Sequence, residues 1–392
     1  MTDGAQSEHP YIQAARDIAP LIEAEADSMD AERRLTPPVF DAFREADLWR
    51  MMLPAEIGGA AVDPATMVRV TEAVSEIDAS AGWCLMIGAE NSGFAACWLP
   101  EPTAQIIFHD QPDAVTAGSA AGSGKAIAVD GGYRISGRWG FASGSTHASW
   151  FFGAATVYDG DTPRIDEHGH PVSVEGVVPA ESVSIEDTWD TLGMRSTASN
   201  HFSLDDVFVA EDWTFDWGGP TARSTAPVFN LPLMSIFALT KVGVATGTAR
   251  GALDAFIRLA SEKTGFRQRS ILAEEQRIQL ITAEAESRLE SARAWIFQSI
   301  AEMESAQAGG KHPSLDQRAR FRLACNHAIG ESVEVVDSVY KAAGTSGNFR
   351  GHPLERRFRD IHVASQHFIA GPSITAGAGE VLLGRQPDGV LL

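Results

Sequence analysis

Hydrophobic positions along the chain change period twice, and the changes divide it into three. From Tyr11 to Pro100 the spacing is helical. The segment IAPLIEAEADSMDAERR is amphipathic, and Thr36-Pro37-Pro38 predicts a helix start with proline in the first turn. A loop from Pro54 to Pro64 interrupts the pattern, Met67 to Asp78 resumes it, and Trp83 to Trp98 is apolar enough for a buried helix. From about Ala114 to Val209 the chain reads as short strands separated by turns. Ile127–Val129 and Tyr133–Ile135 flank Asp130-Gly131-Gly132 as a hairpin, and further strands are predicted at Trp150–Val157, Val172–Val178, Val183–Ile185 and Phe202–Val209. Beyond a Trp-, Pro- and Gly-rich linker near Trp213–Pro220 the helical period returns. Ile278, Ile281, Ala285, Leu289, Ala292, Ile296 and Ile300 form one long stripe that ends at Gly309-Gly310, followed by helical segments at Leu315–Ala343 and Glu355–Phe368. The predicted class is α+β, mostly α, with an N-terminal helical domain over 1–110, a middle β domain over 111–218 and a C-terminal helix bundle over 219–392.

Composition narrows the function. The 31 Lys and Arg against 52 Asp and Glu leave a net charge of -21 over 392 residues, which argues against nucleic acid or an anionic membrane as partner. Hydrophobic residues make up 44% and charged residues 21%, as in ordinary globular proteins large enough for an enzyme pocket. No apolar run approaches the roughly 18 residues of a membrane span, and the start of the chain has no signal-like character, so a cytoplasmic protein is expected. Cys84, Cys97 and Cys325 show neither a disulfide nor a zinc spacing and read as core residues. His168 and His170 lack further ligands and read as loop residues, not a metal pair.

Three separated strings, GGYRISGRWGFASGSTHASW (131–150), TWDTLGMRSTASNHFSLDDVFV (188–209) and PLERRFRDIHVASQHF (353–368), resemble the acyl-CoA dehydrogenase superfamily. More closely they are similar to its oxygenase branch, the two-component flavin-dependent monooxygenases acting on phenols, indoles and dibenzothiophene. The resemblance spans nearly the whole chain. It implies a flavin, FAD or FMN, bound in reduced form between the β domain and the bundle of a homodimer or homotetramer. It also implies a separate NAD(P)H-dependent flavin reductase and a flavin C4a-hydroperoxide that hydroxylates a small aromatic or heteroaromatic substrate. Such an adduct needs a dry, apolar site with few fixed hydrogen bonds.

The resemblance assigns residues. Ser143 is expected near the reactive ring nitrogen, where a hydroxyl both donates and accepts. Trp139 and Phe141 are expected at the flavin, with Trp150, Phe151 and Phe152 as walls or as plain strand packing. Trp189 is expected to cover a flavin face, and Arg195, Thr197 and Ser199 to hold its phosphate or ring edge. The usual T-G-S is here Thr197-Ala198-Ser199, and alanine does not easily take a positive φ. Arg267 is expected either to reach a neighbouring subunit's flavin or to lie on the surface. His367 faces the substrate as a general base, while His362 is structural. The charged run Arg356, Arg357, Arg359 and Asp360 reads as a solvated face or an intersubunit ion-pair network.

A dehydrogenase of the superfamily needs a carboxylate base, after the RD pair or at the start of the first bundle helix. No acid occurs in Ile361–Gly379 or Trp217–Leu253. Some oxygenase relatives carry a second histidine around 85–95; here Asn91 and Ser92 stand there as substrate contacts, so the substrate need not be a phenol. The alternatives are an acyl-CoA dehydrogenase-like FAD oxidoreductase, an N-oxygenase of an amine, and a non-catalytic scaffold.

Overall fold

The computed structural model describes residues 9–217, 227–265, 270–309 and 311–387. Six helices open the chain: α1 (Pro10–Asp17), α2 (Ala19–Glu32), α3 (Pro37–Glu45), α4 (Pro64–Ser75), α5 (Ala79–Trp98) and α6 (Glu101–Phe108). Proline in the first turn starts α3 as its sequence predicts, and Asp63 and Asp78 cap α4 and α5 by accepting the Thr66 and Ala81 N–H groups. Helix α5 is buried all round except at Ile87 and Trp98, so polar residues on it must find partners inside the protein.

The middle of the chain forms one sheet of β1 (Thr116–Val129), β2 (Gly132–Ala142), β3 (Trp150–Asp159), β4 (Thr162–Pro163), β5 (Ser173–Pro179), β6 (Ser184–Glu186), β7 (Asn200–Ala210) and β8 (Thr214–Phe215). The order is β6-β7-β2-β1-β3-β5-β8, with β4 on β3, and among the described residues only β1 and β3 run parallel. The predicted hairpin closes between Val129 and Gly132, and Gly131 takes the left-handed φ of +76° that such a turn requires. The Trp213–Pro220 linker proves to be structure as far as Trp217: Trp213 stacks on Trp150, and Thr214–Phe215 extends the sheet.

The last region holds α7 (Leu233–Glu262), α8 (Gln276–Ala308), α9 (Leu315–Ala343), α10 (Pro353–Ala364) and α11 (Pro372–Leu382). The α8 stripe is buried at Ile278, Ala285, Leu289, Ala292, Ile296 and Ile300, while Ile281 is half-buried. Ser314 and Gln317 form a reciprocal capping box at the start of α9. Gly243, Gly247 and Gly251 face α4 so closely that a Cβ at any of them would collide with the carbonyl oxygens of Val68, Glu72 and Glu76. The resulting core is shared: Phe43, Val70 and Phe94 of the first helices pack in one cluster with Leu239, Ile296 and Phe321. A smaller cluster of Ala95, Leu99, Phe108, Trp150, Phe152 and Phe215 seals the sheet onto α5 and α6. Cys84, Cys97 and Cys325 are buried thiols. Among the described residues no helix is long and apolar enough to cross a membrane.

Candidate active site

A cavity of about 610 Å³ opens where the sheet meets α5, α7 and the segment after α10. Its walls are mainly apolar and rich in aromatic rings: Trp83 and Phe94 from α5, Phe141 and Phe152 from the sheet, Trp189, Trp217, Phe237 and Phe368. Gly118–Ala121 of β1 complete the sheet side, where the pairing of β1 with β3 is interrupted between Ser119 and Gly124. That bulge follows from a run of Gly, Ser and Ala too small to pack a regular ladder.

Two of the strings singled out in the sequence clasp each other here. Gly144 N–H donates to the Thr197 carbonyl and Ser145 Oγ to the Ala198 carbonyl. Ser143 Oγ lies 2.7 Å from Ser199 Oγ, which lies 2.7 Å from Thr197 Oγ1; Thr197 in turn donates to the Met194 carbonyl. All three hydroxyls are buried and line the cavity. Trp83 Nε1–H, which can only donate, binds Ser143 Oγ at 3.0 Å. The hydroxyl run can therefore point toward Met194 and leave Ser143 a lone pair for a ligand, or reverse and make Ser143 a donor. Ala198 adopts the left-handed conformation, φ 44°, that glycine takes more readily, at a cost of about 1–2 kcal/mol.

Trp189 is fixed as a wall: Asn200 Oδ1 accepts from the Thr188 and Trp189 N–H groups, and Trp189 Nε1 donates to the Met194 carbonyl. Asp360, fully buried, accepts from the Met194 N–H at 2.6 Å, tying the RD pair to this turn. Arg359 pairs with Glu355 and Asp30 and Arg356 with Asp27 and Asp78, all within the chain, while buried Arg357 donates to the Glu76 and Ile77 carbonyls, so the described contacts of the run are neither a solvated face nor intersubunit.

His367 lies beyond the end of α10, which stops at Ala364 rather than continuing to Phe368. Its ring packs edge-on against Trp83 at 5.6 Å, so Trp83 touches both Ser143 and His367, a bridging role that no motif in the chain marks. His367 Nδ1 accepts the Ile369 N–H at 3.4 Å, the same cap that His9 and His352 make two residues ahead. A neutral ring so placed carries its proton on Nε2. Burial, aided by the Lys241 charge, pushes its pKa down to about 3. His362 instead pairs with Asp337, a structural place.

On the helix side, Asn91 lines the cavity with its side-chain Nδ2 unpartnered. Ser92 does not: its hydroxyl faces away and accepts the Thr116 N–H. Beside Asn91 stands a pair absent from the sequence expectations. Lys241 Nζ binds Glu90 Oε1 at 2.5 Å, and Thr240 Oγ1 donates to Glu90 Oε2. Burial lowers the Lys241 pKa against the raising effect of Glu90. Only the apolar context of Glu90, amid MIGAENSGFAA on a buried helix, hinted at it.

Two expected flavin contacts, Trp139 and Arg195, lie away from the cavity. Trp139 is fully buried inside the sheet core, stacked on Phe202 and donating to the Ala154 carbonyl. Phe141, two residues on, does reach the cavity, because a bulge between Trp139 and Ala142 and a φ of 61° turn it outward. Arg195 is held by Asp190, the Thr191 carbonyl and the Asp30 carbonyl rather than facing the cavity. Arg267 lies outside the described residues. Of the other aromatics only Phe152 lines the cavity; Trp150 and Phe151 pack in cores.

Two families match the chain: "Acyl-CoA dehydrogenase, N-terminal domain" over residues 11–98 and "Acyl-CoA dehydrogenase, C-terminal domain" over 239–372. The chain is 33% identical over 378 residues to an indole-3-acetate monooxygenase of Pseudomonas putida, covering 96% of this chain and 93% of that protein. It is 28% identical to the oxygenase component of an FADH2-dependent resorcinol hydroxylase of a Rhizobium strain, over 95% of this chain and 93% of that one. The fold is similar to the crystal structure of 3-HSA hydroxylase from a Rhodococcus strain, with a TM-score of 0.89, 24% identity, and coverage of 98% and 99% of the two chains.

Proposed function

From the premise that the chain belongs to the acyl-CoA dehydrogenase superfamily, in its flavin-dependent monooxygenase branch, we propose that it is the oxygenase component of a two-component system. It takes reduced FAD or FMN from a separate NAD(P)H-dependent reductase and acts on a small aromatic or heteroaromatic substrate of the phenol or indole type. When bound, the flavin supplies two electrons that split O2, one atom entering the ring and the other leaving as water.

The observation that carries this reading is a largely apolar, aromatic-rich cavity in which Ser143 and His367 meet across Trp83, with no uncommitted carboxylate among the described residues on its wall. The residues fit a flavin. Trp189, locked by its backbone and indole hydrogen bonds, offers a flat face. The bulged β1 segment and the hydroxyl run offer polar atoms to a ring edge. Ser143 would hold a hydrogen at the reactive edge, accept or donate as the run reverses, and keep it from water. His367 acts with the opposite polarity to the base expected from the sequence. With Nδ1 engaged by Ile369, Nε2–H is a donor, and a ring whose conjugate acid is so acidic is a weak base. It would polarise an acceptor atom in the cavity. Glu90 is unsuited to dehydrogenation, since both its oxygens are committed to Lys241 and Thr240. A dimeric or tetrameric assembly belongs to the same proposal.

The test mixes protein, reduced FMN or FAD, air and an aromatic panel that includes indole-3-acetate and resorcinol. One added oxygen atom in a product supports the reading. Bleaching of bound oxidised flavin by an acyl-CoA, with no oxygenated product, overturns it.

A further inference from the structure

Two side chains on the buried helix-side wall keep unused hydrogen-bonding capacity, and on each of them it includes an N–H. Asn91 is 5% exposed, lines the cavity, and its Nδ2 finds no partner. Lys241 is 3% exposed and spends two of its three protons, on Glu90 Oε1 and Thr240 Oγ1. Both oxygens of Glu90 already accept. A buried amide N–H without an acceptor is costly to leave unmade, and a wall that keeps one beside an ammonium is matched to a ligand that brings lone pairs. Phe94 and Phe237 flank this patch and meet ring to ring at 5.2 Å, so the apolar surface beside it suits an aromatic ring.

We propose that Asn91 and Lys241 form a recognition point for a carboxylate carried on a short arm of the aromatic substrate. This deepens, and rests on, the oxygenase reading above. The carboxylate takes one hydrogen bond from Asn91 Nδ2 and one from the third Lys241 proton. Glu90 fixes the ammonium in place and cancels much of its charge, so the site selects through directed bonds more than through bulk field. Asn91 and Lys241 are specificity residues and take no part in oxygen transfer.

The test is an anaerobic titration of the full chain, carrying reduced FMN, with indole-3-acetate, indole-3-acetamide and 3-methylindole. The wild type is expected to bind the acid at least about tenfold more tightly than 3-methylindole, with the amide between them. Asn91→Leu shrinks that ratio about tenfold. Glu90→Gln, which leaves Lys241 less compensated, widens it. Lys241→Met alone strands the Glu90 charge and risks misfolding, so the decisive variant is Glu90→Gln with Lys241→Met, which keeps the volume and removes both charges. It should bring the acid and 3-methylindole to within about twofold of each other. A wild type without acid preference, or a double variant that retains it, overturns the proposal. Failure of the underlying reading shows separately, as absence of flavin binding or of oxygenated product from any of the three compounds when air is admitted.

Discussion

On the sheet side of the cavity the polar groups are neutral hydroxyls on two turns, Ser143 with Thr197 and Ser199, 56 residues apart and clasped by backbone hydrogen bonds. On the helix side they are a charged pair, Glu90 and Lys241, 151 residues apart and held inside two packed helices. Hydroxyls that can reverse their hydrogen-bond direction suit an atom whose protonation changes during turnover. A fixed ion pair suits a group that must stay where it is. On the proposed function the cavity would separate a reacting face from a holding face, with Trp83, touching both Ser143 and His367, at the boundary.

Breaking the reacting face should have the larger effect. Ser143→Ala removes the acceptor of Trp83 and the end of the hydroxyl run, and is expected to lower oxygenated product per reduced flavin consumed about a hundredfold. Retention of wild-type yield in that assay removes Ser143 from the mechanism.

His367→Asn keeps an oxygen able to cap Ile369 but loses the Nε2–H, and product formation should drop about tenfold with little loss of stability. A sharper version compares indole-3-acetate with its N-methyl analogue. If His367 donates, the two should react at rates within about threefold, whereas a base that removes the ring N–H proton requires the methylated compound to fail.

A smaller effect concerns Trp217 of the cavity wall. Trp217 donates to Glu175, whose carboxyl is pushed up to about 8 by burial. Between about pH 4.5 and pH 8 the folded state holds a proton that the unfolded state has lost, so stability falls as pH rises through that window and levels off above it. Glu175→Gln should remove that component of the slope in thermal melts at pH 5, 7 and 9 while leaving the indole an acceptor. An unchanged slope places the titration elsewhere.

Ala198→Gly should be nearly neutral. It relieves about 1–2 kcal/mol of left-handed strain but returns about 0.4–1 kcal/mol of chain entropy to the unfolded state, giving a shift of at most a few degrees in Tm.

Long elements were legible because their period is set by one buried face. The α8 stripe from Ile278 to Ile300 and the Asp130-Gly131 hairpin needed no tertiary information. Ser143, Thr197, Ser199 and His367 came from short strings, and the structure brings all of them to one cavity. What escaped notice depends on geometry that letters do not carry. Trp139 and Phe141 share a period-two face on paper, yet the bulge between Trp139 and Ala142 sends one into the core and the other outward. Ser92 sits next to Asn91, but on a helix adjacent residues point about 100° apart, and it meets β1 instead. The Glu90–Lys241 pair exists only once α5 and α7 are packed, and the small-residue run of 118–124 reads as a weak strand until its bulge is seen bordering the cavity.

The central claim is oxygen transfer from reduced flavin within this cavity. A single turnover with reduced FMN, ¹⁸O-labelled dioxygen and indole-3-acetate tests it most directly: the account predicts an aromatic product carrying one ¹⁸O atom, diminished in Ser143→Ala. Release of all the oxygen as hydrogen peroxide with the ring unlabelled, together with bleaching of oxidised flavin by a thioester, would contradict it.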